Sequence, residues 1–122
     1  MKDLAVIAVM FVVITSMYVY YDKDVKVVIN YDLDGKEKFG AYLFGTDEIK
    51  DDVLSIFKSH DYKIEKIDFH TAIVRFETRD FGSYRFFGGV KLAHPVNMTV
   101  ILSKVFSFNI TSDEIPQAYI FE

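Results

Sequence analysis

His60, His70 and His94, with Asp61 and Asp68 close by in the chain, are the side chains best suited to hold a transition metal or to move a proton near neutral pH. A zinc site wants two or three such nitrogens and a carboxylate converging on one point. The usual local signatures, a helical His pair four residues apart or a tight His-x-His, do not occur. His60 follows a predicted helix, whose negative pole accounts for it, and His94 precedes Pro95 in a predicted loop. Asn30-x-Asp32-x-Asp34-Gly35 reproduces the first half of a calcium loop. The second half fails: Ala41 stands where a bidentate glutamate is required, and Lys36 and Lys38 fill places where further ligands belong. A hairpin tip explains the spacing better.

Other chemistries find less support. Cysteine is absent, and no Gly-x-Ser-x-Gly elbow presents a serine nucleophile. Gly82 and Gly88-Gly89 do not open a helix with a lysine, as a phosphate cradle would. Asp68 and Glu77 can be drawn as a carboxylate pair facing one another across strands, but solvated surface acids explain them equally well. No catalytic, cofactor-binding or metal residue is therefore assigned, and a carboxylate- and histidine-dependent enzyme stands only as the reading from another class.

The elements that would position such residues begin with an unusual amino terminus. Leu4 to Tyr21 runs through eighteen residues without a charge, ahead of about 100 residues studded with Asp, Glu and Lys. As a helix that run would span roughly 27 Å, close to the ~30 Å of a bilayer core. The expectation is a single-pass transmembrane helix over 1–22, retained as a signal anchor, with one small domain over 23–122 on the exported side. Tyr18, Tyr20 and Tyr21 would then sit at the membrane interface, beside the charges of Asp22-Lys23-Asp24. A cleaved signal peptide is the second reading, poorly specified at Thr15-Ser16. A buried core element is the third, since the many Val and Ile residues would suit a central strand.

The domain reads as α+β: an antiparallel sheet with one main packed helix, in the order hairpin, helix, meander and short final helix. Val25, Val27, Ile29, Tyr31 and Leu33 alternate with mostly polar residues, the pattern of a half-buried strand. Asp34-Gly35 marks a turn, and an odd-length loop would pair Tyr31 with Phe39 and Ile29 with Ala41. Thr46 offers an N-cap to a helix of about four turns carrying Ile49, Val53, Ile56 and Phe57 and ending near Ser59-His60-Asp61. Ile64–Phe69, Ala72–Phe76, Tyr84–Phe87 and Met98–Phe108 read as strands, and Ser112 as the cap of a short last helix with Pro116 in its first turn.

The 122 residues carry a net charge of -4, and their interleaved charges form no basic stripe, so nucleic acid is excluded as a partner. Twelve Phe and eight Tyr must do the packing that disulfides cannot. Aromatic residues also concentrate where a partner would use them. Arg79 to Lys91 gathers Phe81, Tyr84, Phe86 and Phe87 with Arg79, Arg85 and three glycines, a mixture enriched at protein interfaces. Arg79, Phe81, Tyr84, Arg85 and Phe87 are the expected partner-binding residues; if Tyr84 and Phe86 face inward, the strand period turns Arg85 and Phe87 outward. Asn97-Met-Thr99 and Asn109-Ile-Thr111 match glycosylation acceptors, a loose pattern. The expected function is a membrane-anchored, non-catalytic interaction domain, either an accessory or assembly subunit or a small inhibitor or immunity factor. Its partners are the lipid bilayer and a protein, without a cofactor. A homo-oligomeric subunit of a filament or viral particle is the rival within the binding class.

Overall fold

From Val12 onward the apolar amino-terminal run is a strand, not a helix. The computed structural model describes residues 12–33, 47–59 and 61–121. Its elements are β1 (Val12–Tyr21), β2 (Val25–Leu33), α1 (Asp47–Leu54), β3 (Tyr62–Ile67), β4 (Thr71–Phe76), β5 (Arg79–Asp80), β6 (Tyr84–Phe87), β7 (Val90–Ser103), β8 (Phe106–Ile115) and β9 (Ala118–Phe121). A six-stranded sheet in the order β3-β4-β2-β1-β7-β8 is joined by a three-stranded sheet in the order β5-β6-β9. The pairings are antiparallel except that of β1 with β7, which is parallel from Met17↔Met98 to Tyr20↔Ile101.

This corrects the α+β assignment and the transmembrane helix together. The chain is mainly β-sheet with one short helix, and no helix among the described residues is long and apolar enough to cross a membrane. The single-pass anchor and the membrane localisation built on it fall with that helix. The physical reason is visible in β1: Met17, Val19 and Tyr21 are buried, while Tyr18 and Tyr20 lie half-buried on the opposite face, the period of a pleated strand. β-branched Val13, Ile14 and Val19 suit that backbone, and a strand inside a sheet has neighbours on both sides and little need of polar residues.

The core lies on one face of the large sheet. Val25, Val27, Ile29, Tyr31 and Leu33 of β2 join Ala72, Val74 and Phe76 of β4 and Val96, Met98 and Val100 of β7. Burying a side chain of this size is worth about 1.5–3 kcal/mol, so the row is the main source of stability. Ile49, Val53 and Leu54 of α1 cover it near the start of β1. The helix is half the predicted length. Beyond Leu54 the chain turns, and Phe57 bridges to Leu92 while the Ala93 N–H donates to Ile56 O at 2.8 Å. Ile56 and Phe57, expected on a helix face, thus reach the core from a bridge.

The other expectations sort by position. The predicted strand over 98–108 is two strands, turning at Lys104-Val105, and the predicted final helix is the end of β8 followed by β9. The Asp34-Gly35 turn with its pairing to Phe39 and Ala41, the Thr46 cap and His60 lie outside the described residues.

Two buried tyrosines tie distant segments. The Tyr21 hydroxyl donates to Pro116 O at 2.6 Å and the Tyr31 hydroxyl to Asp68 O. Burial raises the pKa of both. For Tyr31, with the Asp68 carboxylate adding to the effect, it is pushed up to about 12. Unfolded tyrosine ionises near pH 10, so this stabilisation is whole below pH 10 and is lost as pH rises toward 12.

Urea midpoints should therefore fall between about pH 10 and 12. Tyr31→Phe should lose about 1 kcal/mol at neutral pH with its hydrogen bond, yet show a shallower alkaline fall. A chain beginning at Asp22 lacks β1, and with it the strand that joins β2 to β7. It should show neither the cooperative thermal transition nor the protease-resistant core of the full chain.

Candidate functional site

The small sheet has two unlike faces because its strands alternate. In β6, Arg85 and Phe87 point toward the large sheet while Tyr84 and Phe86 point away. Phe87 is 3% exposed and meets Tyr21 edge-on at 5.9 Å and Phe76 at 6.2 Å. Ala118 and Ile120 of β9 pack on the same side.

On the outer side the cross-strand pairs Tyr84↔Phe121 and Phe86↔Tyr119 build an aromatic surface. Tyr84 meets Tyr119 at 5.7 Å and Phe121 at 6.0 Å, and Phe86 meets Tyr119 at 5.1 Å. Phe81 stacks on Tyr84 at 5.2 Å, and the Arg79 guanidinium lies 6.0 Å from the Phe81 ring. Phe81 holds that position from a tight turn. Its N–H donates to Tyr84 O at 2.9 Å, the Gly82 N–H donates to Asp80 Oδ1 at 2.9 Å, and Gly82 takes φ 91°, which glycine adopts without strain. The surface stays open, with Phe81 49%, Tyr119 60% and Phe121 75% exposed.

Arg85 fixes the orientation of this surface. Its Nε donates to Lys23 O at 3.1 Å and to Thr78 Oγ1 at 2.9 Å, its Nη1 lies 3.3 Å from Asp80 Oδ2, and Thr78 Oγ1 in turn donates to Lys23 O. Lys23 belongs to the turn between β1 and β2, so one guanidinium clamps the small sheet to the large one. Gly89 then lets the chain leave β6 for β7. It takes φ 85°, and a Cβ there would stand 2.9 Å from Ile115 O.

Of the residues expected to bind a partner, Arg79, Phe81 and Tyr84 lie on the outer face, Arg85 is a half-buried clamp and Phe87 is core. Tyr119 and Phe121, the most exposed rings of this face, escape the sequence reading because it assigns the carboxy-terminal residues to a short helix capped at Ser112. The alternation Ala118-Tyr119-Ile120-Phe121 was the available signal. The three tyrosines assigned to a membrane interface separate: Tyr21 is core, whereas Tyr18 and Tyr20 share the open face of the large sheet, with Lys26 Nζ 5.2 Å from the Tyr20 ring.

The candidate chemistry lies elsewhere and stays dispersed. His70 sits in the turn between β3 and β4, where its N–H and that of Thr71 donate to Asp68 Oδ1 at 2.8 and 2.7 Å. Those donors hold the Asp68 carboxyl below its usual pKa. His94 is exposed on β7, Nδ1 3.0 Å from Pro95 O, and β2 and β1 separate β7 from β4. No group of three His, Cys, Asp or Glu able to hold a metal occurs among the described residues. A cleft of about 550 Å³ opens where β1 and β7 diverge, lined by Thr15, Asp52, Ser55, His94, Asn97 and Thr111. The two acceptor sequences face one another across β7 and β8: Thr99 Oγ1 donates to Asn109 Oδ1 at 2.7 Å, and Thr111 Oγ1 to Asn97 Oδ1.

Compared with protein-family profiles, with curated proteins and with solved structures, the chain finds no match. The class reached here, a mainly β domain with an outward-facing aromatic sheet, rests on its own geometry.

The two faces predict opposite mutational behaviour. Phe87→Ala should cost about 3–5 kcal/mol through the cavity it opens. Phe121→Ala, on the open side, should stay within about 0.5 kcal/mol of the parent. Paired denaturation curves of the two variants check the assignment.

Proposed function

We propose that the chain is a non-catalytic interaction domain that works by protein–protein contact, as an accessory or assembly subunit or a small inhibitor, with the outer face of β5-β6-β9 as its contact surface. The supporting observation is the joined surface of Phe81, Tyr84, Phe86, Tyr119 and Phe121 with Arg79 at its margin, left open on a side the core does not use. Aromatic and arginine side chains supply most binding energy at protein interfaces, because each buries a large area at low entropic cost. A contiguous exposed apolar patch carries a standing hydration cost that a bound partner removes. Preorganisation adds to the case. The rings already touch one another, and the Arg85 clamp holds their sheet, so little order remains to be lost on binding. The partner epitope that would complement this surface is flat and apolar, with an acidic group opposite Arg79.

The test is a tagged full-length chain recovered from its native source beside a Tyr119→Ser, Phe121→Ser double variant. The parent should retain a stoichiometric protein partner, and the variant should lose it while its melting temperature moves by only a few degrees. Retention of the partner by a folded variant would overturn the assignment of the surface, and absence of any stoichiometric partner for the parent would overturn the function.

A further inference from the structure

The two edges of the large sheet are built differently. β3, at one edge, is guarded: Lys63 Nζ lies 3.2 Å from Glu77 Oε1, Lys66 Nζ 3.4 Å from Asp68 Oδ2 and Glu65 Oε1 3.2 Å from Arg75 Nε. A register shift also falls between Ile64 and Lys66. Edge lysines and irregular pairing of this kind discourage a further strand from adding.

The middle of β8, at the other edge, lacks these devices: the register shifts in its pairing with β7 fall at either end, between Ile101 and Ser103 and between Lys91 and Val96, and the ion pair of Glu114 with Lys91 lies near its last residue. From Phe106 to Ser112 it reads FSFNITS, with no charge and no proline, and Ser107 to Ser112 pair one-to-one with β7. Its outer side has no neighbouring strand among the described residues. Its apolar side chains are uncovered as well: Phe106 is 54% exposed and Phe108 is exposed, as are Val105 at the turn, at 94%, and Leu102 near the end of β7. Phe108 pairs with Val100 and Ile110 with Met98, so these side chains continue the core face beyond the elements that cover it.

We propose that the occupant of this edge is β8 of a second copy of the chain, paired antiparallel across a twofold axis at Asn109. Three features select that occupant. Pairing about Asn109 keeps even-numbered residues on one face, so Phe108 of each copy lies across from Ile110 of the other, an aromatic and β-branched pair of the favourable kind. Charges of opposite sign stand at the two ends of the segment, Lys104 in the turn before the strand and Asp113 and Glu114 among its last residues, where Glu114 also meets Lys91 of β7, and antiparallel pairing brings each lysine to the other copy's acids. Parallel addition would set lysine against lysine and acid against acid. Finally, the contact is made by the same segment of both copies, so it closes on itself as a dimer and consumes both bare edges. This surface lies on a different sheet from the aromatic face and does not depend on it.

Sedimentation of the full chain over a range from about 1 to 300 µM tests the proposal, because self-association shifts with concentration by mass action. A monomer–dimer equilibrium is expected. Asn109→Lys places two lysines directly opposite one another at the axis and should weaken the dimer at least about tenfold. Asn109→Ala removes the same Thr99 hydrogen bond without adding charge and should leave the association within about twofold of the parent. Should Asn109→Lys not fold, Ser107→Lys, which lies opposite Thr111 of the other copy and guards the edge as the lysines of β3 do, replaces it and should also weaken the dimer. A monomeric parent at every concentration overturns the proposal. So does a dimer indifferent to either lysine, or one lost in the Tyr119→Ser, Phe121→Ser variant, since that would put the aromatic face between the copies.

Discussion

The backbone pairing of β1 on both its sides is the constraint on which the rest of this fold depends. On one side it runs antiparallel to β2 through nearly its whole length, and on the other it runs parallel to β7 over Met17–Tyr20 only. That short parallel ladder joins the first described strands to a hairpin more than seventy residues further on. Because a parallel pair needs a long crossover, β2, α1 and β3 to β6 are all carried in the connection between its two strands. Toward the start of β1 the ladder stops, β1 shifts register between Ile14 and Ser16, and the cleft beside Thr15 and Asn97 opens.

The same strand orients the surface assigned to binding. Tyr21 ends β1 in the core, with its ring against Phe87 and its hydroxyl on Pro116 O just ahead of β9. The turn that follows offers Lys23 O to Arg85 and Thr78. Hydrogen bonds at the end of one central strand thus hold β6 and the chain leading into β9. Adjacent residues then diverge in role, Phe86 lying outside and Phe87 inside, which only the pleat can bring about.

Much of the strand pattern was legible. Val25–Leu33, Thr71–Phe76 and Tyr84–Phe87 alternate clearly enough to be recognised, and the richness of Arg79 to Lys91 in aromatic residues marked the neighbourhood of the candidate surface. The amino-terminal run was misread for an identifiable reason. A strand with neighbours on both sides, and a lipid-embedded helix, each exclude charge, so apolarity over 4–21 does not distinguish them, and length favoured the helix. The final helix failed on weaker grounds. A capping serine before Pro116 fits a helix start, but the Ser112 hydroxyl instead accepts from the Glu114 N–H within β8.

The sequence by itself determined that cysteine and a basic nucleic-acid footprint are absent, that aromatic and β-branched residues must form the core, and which residues of each recognised strand share a face. These are properties of composition and of a two-residue period, and they need no knowledge of partners. Tertiary structure alone decided which of the two faces is covered, that Val12–Tyr21 lies within a sheet, and that Tyr119 and Phe121 meet Tyr84 and Phe86. Strand order and inward direction depend on contacts between residues far apart in the chain, where each strand's own pattern is equally satisfied by either orientation.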